Sequence, residues 1–353
     1  MREISPPKRS ADTLKRRRVQ LDWPEDRDLR ILSLDGGGIR GIFTAAYLCG
    51  LEQRHLGGCS IAGYFDLICG TSTGGILALA LASGFTAAEL LDLYVKRGNE
   101  IFPPVTENWF GEIESRVRSA RSLMYYRYER DALERILKQY LGSRKFGEAS
   151  TRLCIPAFEG HHGEVFVYKT PHHPDFKKDL HEDMVTVGLA TAAAPTYFRP
   201  LEKDGYVMVD GGVWANNPIM IGLVDALSCY NVRRENIRIL SIGCGSDPYH
   251  VRESMRKFGG LWHWRKIMTA AMRLQSQNAI GQACLLIGAD RVYRIDRSSD
   301  APLIKLDDWL AACSTLPAEA NATIEKTESD LAQFFLSSKA AIYRPHYAHS
   351  PVD

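Results

Sequence analysis

Long apolar segments and a strong excess of charge are both missing from this sequence. Its best candidate for a membrane span, residues 76–82, is much shorter than the run of about 18 apolar residues that a transmembrane helix needs. The formal net charge at pH 7 is only +2, so the overall charge argues neither for nor against a polyanionic partner. The N-terminal region also lacks the apolar core of a secretory signal. We therefore expect a protein that stays in the cytoplasm.

Patterns typical of disulfide and metal sites are scarce as well. The eight cysteines are scattered and form no C-x-x-C pair, which predicts reduced thiols rather than a disulfide framework or a zinc site. The pairs at 161–162 and 172–173 are histidines in polar segments without an H-E-x-x-H pattern, and we interpret them as surface-loop residues. The sequence also contains no calcium-type carboxylate cluster. We expect no bound metal.

What the sequence does contain is a serine between glycines at a predicted strand-to-helix turn. Residues 64–69 form a short apolar run typical of a buried strand, and residues 75–83 are rich in Ala, Leu and Ile, as in a helix. Between them, residues 70–74 read G-T-S-T-G, which matches the G-x-S-x-G nucleophile elbow. Because short motifs recur by chance, this one alone is equally compatible with a turn that has no chemistry.

A glycine loop lies upstream of that serine, again between a predicted strand (30–34) and a predicted helix (42–55). Residues 35–41 read D-G-G-G-I-R-G, and successive backbone N–H groups in such a loop can converge on a negative oxygen. The loop also satisfies G-x-G-x-x-G, so a Rossmann dinucleotide-binding unit is an alternative. Against it, Asp35 would lie beside the pyrophosphate, and no acidic residue ends a second strand about 20 positions later. An oxyanion loop accounts for both glycine motifs.

A third motif follows a predicted strand at 205–209. There Asp210 precedes two glycines, and residues 216–218, N-N-P, lead into an apolar helix at 219–227. An aspartate at a strand end can accept a proton from a neighbouring nucleophile, although an isolated D-G-G is most often only a turn. Because no histidine occupies a comparable loop, the sequence predicts that Ser72 is paired with Asp210 as its only base.

Together, the three motifs resemble the three sequence blocks of the patatin-like phospholipase family, in the family's order and spacing. The similarity includes residues 239–245 and 293–295, with Cys244 where threonine is common. The resemblance implies a three-layer α/β/α hydrolase with a central, mostly parallel sheet. It further implies that a Ser–Asp dyad cleaves acyl esters of phospholipids, and that catalysis uses neither a cofactor nor a metal.

The same resemblance assigns roles to individual residues. Ser72 is the nucleophile and Asp210 the base, while Arg40 either steadies the glycine loop or meets a lipid phosphate. The backbone N–H groups that hold the oxyanion belong to three consecutive glycines, Gly36, Gly37 and Gly38.

The chain also looks like the bacterial patatin-like effectors of anti-phage systems, which a cyclic dinucleotide, cyclic GMP-AMP, turns on. This resemblance implies a cyclic dinucleotide as activator, a cyclic-nucleotide synthase as functional partner, and phospholipids of the inner membrane as a substrate reached peripherally. It is compatible with a homo-oligomer and implies no nucleic acid polymer. Arginines beside aromatic residues would suit the activator's phosphates and bases, and two segments supply them: Arg256, Trp262, Trp264 and Arg265, and Tyr125 and Arg127.

Other functions remain open at this point. The chain is also compatible with a constitutive lipid acyl hydrolase that no nucleotide controls. A catalytically idle storage or scaffold protein is a further alternative, since family membership does not guarantee activity. The intact Ser72 and Asp210 argue against that last alternative.

Composition along the chain predicts its organisation. Residues 1–28 form a basic arm, since residues 1–22 carry seven basic and three acidic side chains. Residues 29–300 form the family domain, and residues 301–353 form a helical extension packed on it. We predict helices at 125–141 and 318–344 and two strands within 152–168. Residues 252–273, basic and rich in Trp, suit a lipid interface or a helix packed on the sheet.

Overall fold

A mixed eight-stranded sheet lies at the centre of the protein, whose structure is a computed structural model. The structure describes residues 7–8, 18–104, 126–245, 267–298 and 300–348. Within these ranges the strands are β1 (Leu21–Asp22), β2 (Leu29–Leu34), β3 (Leu67–Gly70), β4 (Arg152–Glu159), β5 (Glu164–Lys169), β6 (Leu201–Lys203), β7 (Tyr206–Asp210), β8 (Tyr230–Asn231), β9 (Ile237–Ile242) and β10 (Val292–Ile295).

Helices cover both faces of this sheet. They are α1 (Gly41–His55), α2 (Thr73–Ala82), α3 (Ala87–Ile101), α4 (Asp131–Leu141), α5 (Met184–Thr191), α6 (Gly212–Ala215), α7 (Ile219–Cys229), α8 (Ile267–Ile287) and α9 (Trp309–Leu331). One apolar core contains residues of α1 to α5 and α9, and a second contains residues of α7 and α8. The predicted three-layer α/β/α fold is confirmed.

The strand order of the large sheet is β10-β9-β2-β3-β4-β7-β6, with β5 also paired to β4. The pairs from β10 to β4 are all parallel, so the carboxyl ends of these strands meet at one edge of the sheet. Every residue of β2 is buried, as expected for a parallel strand covered on both faces. In register, Leu34 of β2 lies beside Gly70 of β3 and Ile242 of β9.

The far half of the sheet brings a distant segment to the same edge. β4 pairs with β3 only up to Cys154 and then continues past the end of β3. On this overhang β7 pairs antiparallel, with Asp210 opposite Ala157. Asp210 therefore lies at the level of the turn that follows β3.

The predicted helix at 125–141 begins later than expected, and residue 125 lies outside the described residues. Helix α4 starts at Asp131. The backbone N–H groups of Arg127 and Tyr128 instead donate to the carbonyls of Thr196 and Tyr197. These long-range bonds draw the segment before α4 out of the helix.

The predicted helix at 318–344 is also wrong at both ends. Helix α9 begins at Trp309, with the Asp308 side chain accepting from the Ala311 N–H, and it continues through Pro317. After Leu331, one π-helical turn follows over Ala332–Leu336. Beyond it the backbone bonds to other parts of the domain: Ala340 donates to Gly63, and His346 donates to Pro171.

Residues near the end of the predicted basic arm pack on the domain. Strand β1 pairs with β8, and Trp23 is buried in the second core. Arg18 donates to the Ser228 hydroxyl and lies over the Phe176 ring. Of the predicted amphipathic helix at 252–273, only residues 267–273 are described, as the start of α8. None of the helices in the described ranges is both long and apolar enough to span a bilayer.

Candidate active site

Ser72 lies at the sharp turn between β3 and α2. Its backbone adopts φ 55° and ψ −121°, a strained conformation for a residue with a side chain. The turn requires its glycines, because a Cβ on Gly70 or on Gly74 would overlap backbone atoms. The N–H of Ser72 donates to Oγ1 of Thr191, whose hydroxyl in turn donates to the Pro156 carbonyl. These bonds stabilise the largely buried turn that presents the hydroxyl of Ser72.

Asp210 faces that hydroxyl from the end of β7. Oγ of Ser72 donates a hydrogen bond of 2.7 Å to Oδ2 of Asp210, and the N–H of Gly212 donates to Oδ1 at 2.6 Å. Burial raises the pKa of Asp210 to about 6, against the opposing effect of these two hydrogen bonds. A carboxylate with such a pKa can accept a proton near neutral pH.

The glycine loop after β2 packs beside Ser72. The N–H of Gly36 donates to the Asn216 carbonyl at 3.0 Å, and a Cβ on Gly36 would come within 3.2 Å of the Cβ of Ser72. Gly38 has a positive φ of 56°. Because the N–H of Gly36 is already donated, we propose that the N–H groups of Gly37 and Gly38 bind the oxyanion. Gly36, which has no side chain, allows the loop to pack closely against Ser72.

Arg40 lies buried at the end of this loop. Its Nε donates to the carbonyl of Gly37 at 3.4 Å, and its side chain also lines a cavity that opens over Ser72. The contact with Gly37 favours the first predicted role, support of the loop.

A cavity of about 600 Å³ opens over these groups. Ser72, Asp210 and the glycine loop lie on one part of its wall. Another part is formed by apolar side chains of α3, α4 and the segment after α5, namely Leu93, Ile101, Phe102, Leu133, Ile136, Leu137 and Phe198. A hydroxyl beside an apolar chamber can act on an ester attached to a long hydrocarbon chain.

Of the six candidate activator residues, the structure describes only Arg127. Arg127 pairs with Asp307 at 2.6 Å and lies over the Tyr197 ring at 4.9 Å. The other five lie outside the described residues: Tyr125, Arg256, Trp262, Trp264 and Arg265.

The interpretation of 172–173 as surface histidines is wrong, since both side chains are buried. His172 Nε2 lies 2.7 Å from Oδ2 of Asp225, whose Oδ1 accepts from the ammonium of Lys169 at 2.5 Å. Burial alone would raise the pKa of Asp225, but Lys169 and His172 outweigh it and hold that pKa below its ordinary value. The side chains of Cys154, His172 and Asp225 offer ligand atoms close enough to one another for a metal ion. The ammonium of Lys169 already supplies the cation there.

Sequence reasoning missed several residues that support the site. Thr191 holds the N–H of Ser72, and the Asn216 side chain donates to the Gly36 carbonyl at 3.3 Å. Arg294 forms an ion pair with Asp35 across the sheet. A role for Asn216 could have been predicted from the sequence, because it belongs to the N-N-P motif. Nothing in the local sequence marks Thr191.

Comparison with known proteins shows which family of proteins the chain is similar to. A family model described as "Patatin-like phospholipase" matches residues 32–223. The chain is 37% identical over 253 residues to a "cGAMP-activated phospholipase" of Vibrio cholerae serotype O1, covering 66% of this chain and 70% of the relative. A protein of the same name from Escherichia coli (strain TW11681) is 37% identical, covering 76% and 80%. A third, from Pseudomonas aeruginosa, is 35% identical, covering 67% and 68%.

Proposed function

This chain belongs to the patatin-like phospholipase family and is a lipid-hydrolysing enzyme, and we propose that it cleaves acyl esters of membrane phospholipids with Ser72 as nucleophile and Asp210 as base. The observation that carries the proposal is the 2.7 Å hydrogen bond between Ser72 Oγ and Asp210 Oδ2. It gives the serine proton an acceptor without any histidine.

In the proposed reaction, Ser72 Oγ attacks the ester carbonyl as its proton passes to Asp210. The N–H groups of Gly37 and Gly38 stabilise the tetrahedral oxyanion, and a single donor of this kind is typically worth about 3–4 kcal/mol. The intermediate collapses to an acyl-serine, and Asp210 returns the proton to the departing lysophospholipid alcohol. Asp210 then takes a proton from water as the water oxygen attacks the acyl-serine carbonyl. When the C–Oγ bond breaks and the fatty acid leaves, Asp210 returns this proton to Ser72 Oγ, which restores the free enzyme.

The shape of the cavity supports a lipid substrate. Its apolar wall, on α3 and α4, is suited to the acyl chain, since each buried CH₂ gains about 0.8 kcal/mol. The cavity is also lined by polar side chains such as Ser276, Gln277 and Ser298, which suit the hydrated part of a phospholipid.

We further propose control by cyclic GMP-AMP, made by a cyclic-nucleotide synthase in anti-phage defence. The three relatives compared above carry the name "cGAMP-activated phospholipase", and this supports the proposal. A phospholipase that acts from the cytoplasm on the inner membrane would damage its own cell without restraint. Shifting a two-state enzyme from 1:99 to 99:1 requires an activator that prefers the active state by about 5.5 kcal/mol.

The test is hydrolysis of phospholipid vesicles by the purified full chain, with and without micromolar cyclic di- and trinucleotides. We expect release of fatty acid that depends on cyclic GMP-AMP in the wild type and is absent in Ser72→Ala. High activity that no nucleotide changes would instead support a constitutive acyl hydrolase. Hydrolysis that survives Ser72→Ala, in protein free of host esterases, would overturn the assignment of the nucleophile.

A further inference from the structure

Arg294 connects the carboxyl ends of three neighbouring strands beside the glycine loop. Its Nη1 donates to Oδ1 of Asp35 at 3.0 Å and to Oγ of Ser241 at 2.7 Å. Its Nη2 donates to Oδ2 of Asp35 and to Oδ2 of Asp296, each at 2.6 Å. Asp35 follows β2, Ser241 belongs to β9, and Asp296 follows β10. One guanidinium therefore holds the edge of the sheet from which the glycine loop departs.

Asp35 is the residue from which that loop starts. Its N–H donates to the Ile242 carbonyl at 3.0 Å, and its side chain is only 5% exposed. Both carboxylate oxygens accept from Arg294, a bidentate arrangement that fixes the plane of the carboxylate as well as its position. With the backbone and side chain of Asp35 both held, the direction in which the chain enters Gly36 is fixed.

Arg294 also supports the surface on which the loop packs. Its partner Asp296 accepts the N–H of Gly245 at 2.7 Å, which holds the turn after β9. In that turn lies Cys244, whose Cβ would be only 2.6 Å from a Cβ on Gly37. The guanidinium thus reaches the loop from two sides, through Asp35 at its start and through this turn beneath Gly37.

We propose that Arg294 is a positioning residue of the oxyanion loop, which sets where the N–H groups of Gly37 and Gly38 point. The proposal rests on the proposed function, because it assumes that these groups stabilise the transition state. Misplaced donors would weaken binding of the oxyanion and leave ground-state binding of the ester nearly unchanged. The rate of turnover therefore depends on Arg294 more than KM does.

The test compares wild type, Arg294→Lys and Arg294→Gln on a soluble short-chain ester, with cyclic GMP-AMP present. Lysine keeps the charge but cannot form the bidentate contact. We expect kcat to fall by about 30- to 100-fold, below the loss of about 10²–10³ for a whole oxyanion donor, with KM within about twofold. The carbonyl carbon of a trifluoromethyl ketone inhibitor bonds to Ser72 Oγ, and the adduct carries an oxyanion. The affinity for this inhibitor should therefore fall by the same factor as kcat.

Arg30→Lys is the matched control. Arg30 is also a buried arginine of the large sheet, but it lies near the start of β2, and its Nη1 donates to the carbonyls of Phe335 and Ser338 rather than to groups beside the loop. It is not among the residues that line the cavity. We expect its loss to change thermal stability while kcat stays within about threefold of wild type, as for residues outside the transition-state contacts. If Arg294→Lys does not fold, Asp35→Asn and Asp296→Asn test the same contacts, and Asp35→Asn should lower kcat in the same way.

Four results would overturn the inference. Arg294→Lys with kcat within threefold of wild type would remove the positioning role. A raised KM with unchanged kcat would make Arg294 a substrate-binding residue instead. A kcat loss as large in Arg30→Lys would show a general effect of replacing a buried arginine. A wild type without hydrolysis that depends on Ser72 would overturn the proposed function and this inference with it.

Discussion

Ser72 and Asp210 are separated by 138 positions, yet Oγ of Ser72 lies 2.7 Å from Oδ2 of Asp210. Ser72 lies in the turn after β3 and Asp210 ends β7. These two strands do not pair with each other, because β4 lies between them. Because β4 continues beyond the end of β3, it carries the end of β7 to the height of the turn at Ser72. The overhang of one strand thus decides whether the proposed dyad can form.

Removal of either member of the proposed dyad should abolish hydrolysis. We expect Ser72→Ala and Asp210→Asn each to lower kcat by several orders of magnitude, and the double variant to lose no more than the worse single variant. Ester turnover and circular dichroism of the purified proteins measure activity and fold. Near-normal turnover in either single variant would contradict the assignment.

Activity should fall in acid. The proposed base must be ionised, and burial raises the pKa of Asp210 to about 6, so kcat/KM should fall as the pH is lowered through about 6. Burial raises the pKa of Asp35 to about 6 as well, although Arg294 opposes the shift, and its protonation would weaken the ion pair with Arg294. We therefore expect a limiting slope above one, which returns to one in Asp35→Asn. A profile that is flat between about pH 5 and pH 8 would contradict both expectations.

The apolar cavity wall should set the preferred acyl-chain length. Leu133→Phe adds bulk at this wall, and we expect kcat/KM for a 16-carbon ester to fall by about tenfold or more relative to an 8-carbon ester, a typical effect of crowding an apolar pocket. Leu133→Ala should shift the preference in the opposite direction. Leu223→Ala is the control, because Leu223 is fully buried in the second core and lies away from the cavity wall. Equal chain-length profiles in all three variants would contradict the acyl-chain assignment.

The buried network around Asp225 should matter for stability rather than for catalysis. Lys169→Met removes the ammonium that pairs with the Asp225 carboxylate, which keeps contacts with His172 and the Cys229 thiol, and breaking a buried ion pair typically costs about 3–5 kcal/mol. Urea unfolding should show this loss, and Lys169→Met with Asp225→Leu should recover part of it. The exposed pair of Lys96 and Asp92 gives the control, since Lys96→Met should leave the unfolding midpoint unchanged. An unchanged midpoint in Lys169→Met would contradict the expectation.

The basic arm should contribute to membrane binding. Each basic residue near an anionic surface is worth about 1 kcal/mol, so replacing Lys15, Arg16 and Arg17 by serine should weaken sedimentation with anionic vesicles at low salt. Arg18 is left in place because it contacts Ser228 and Phe176 of the domain. Replacement of Trp262 and Trp264 tests the second basic segment in the same assay. Unchanged binding in both variants would contradict a membrane role for either segment.

Local sequence was sufficient for the strand ends that carry the site. Residues 35–41, 70–74 and 210–212 were placed correctly at the carboxyl ends of strands, because apolar runs followed by glycines reflect short-range sterics and periodicity. The fold class followed from the family resemblance that these three motifs carry. Helix boundaries were less accurate at α4 and α9, because backbone bonds to distant segments decide where those helices begin and end.

Contacts between distant strands were decided only by the tertiary structure. His172 and His173 lie in a polar stretch, yet they are buried, and His172 contacts Asp225. Arg294 contacts Asp35 although 259 positions separate them along the chain. The contact is possible because only one strand, β9, lies between β10 and β2 in the sheet. The sequence determined which chemical groups stand at the strand ends, since that depends on neighbours along the chain. Which of those groups touch depends on strand order and register, which arise only when the whole sheet assembles.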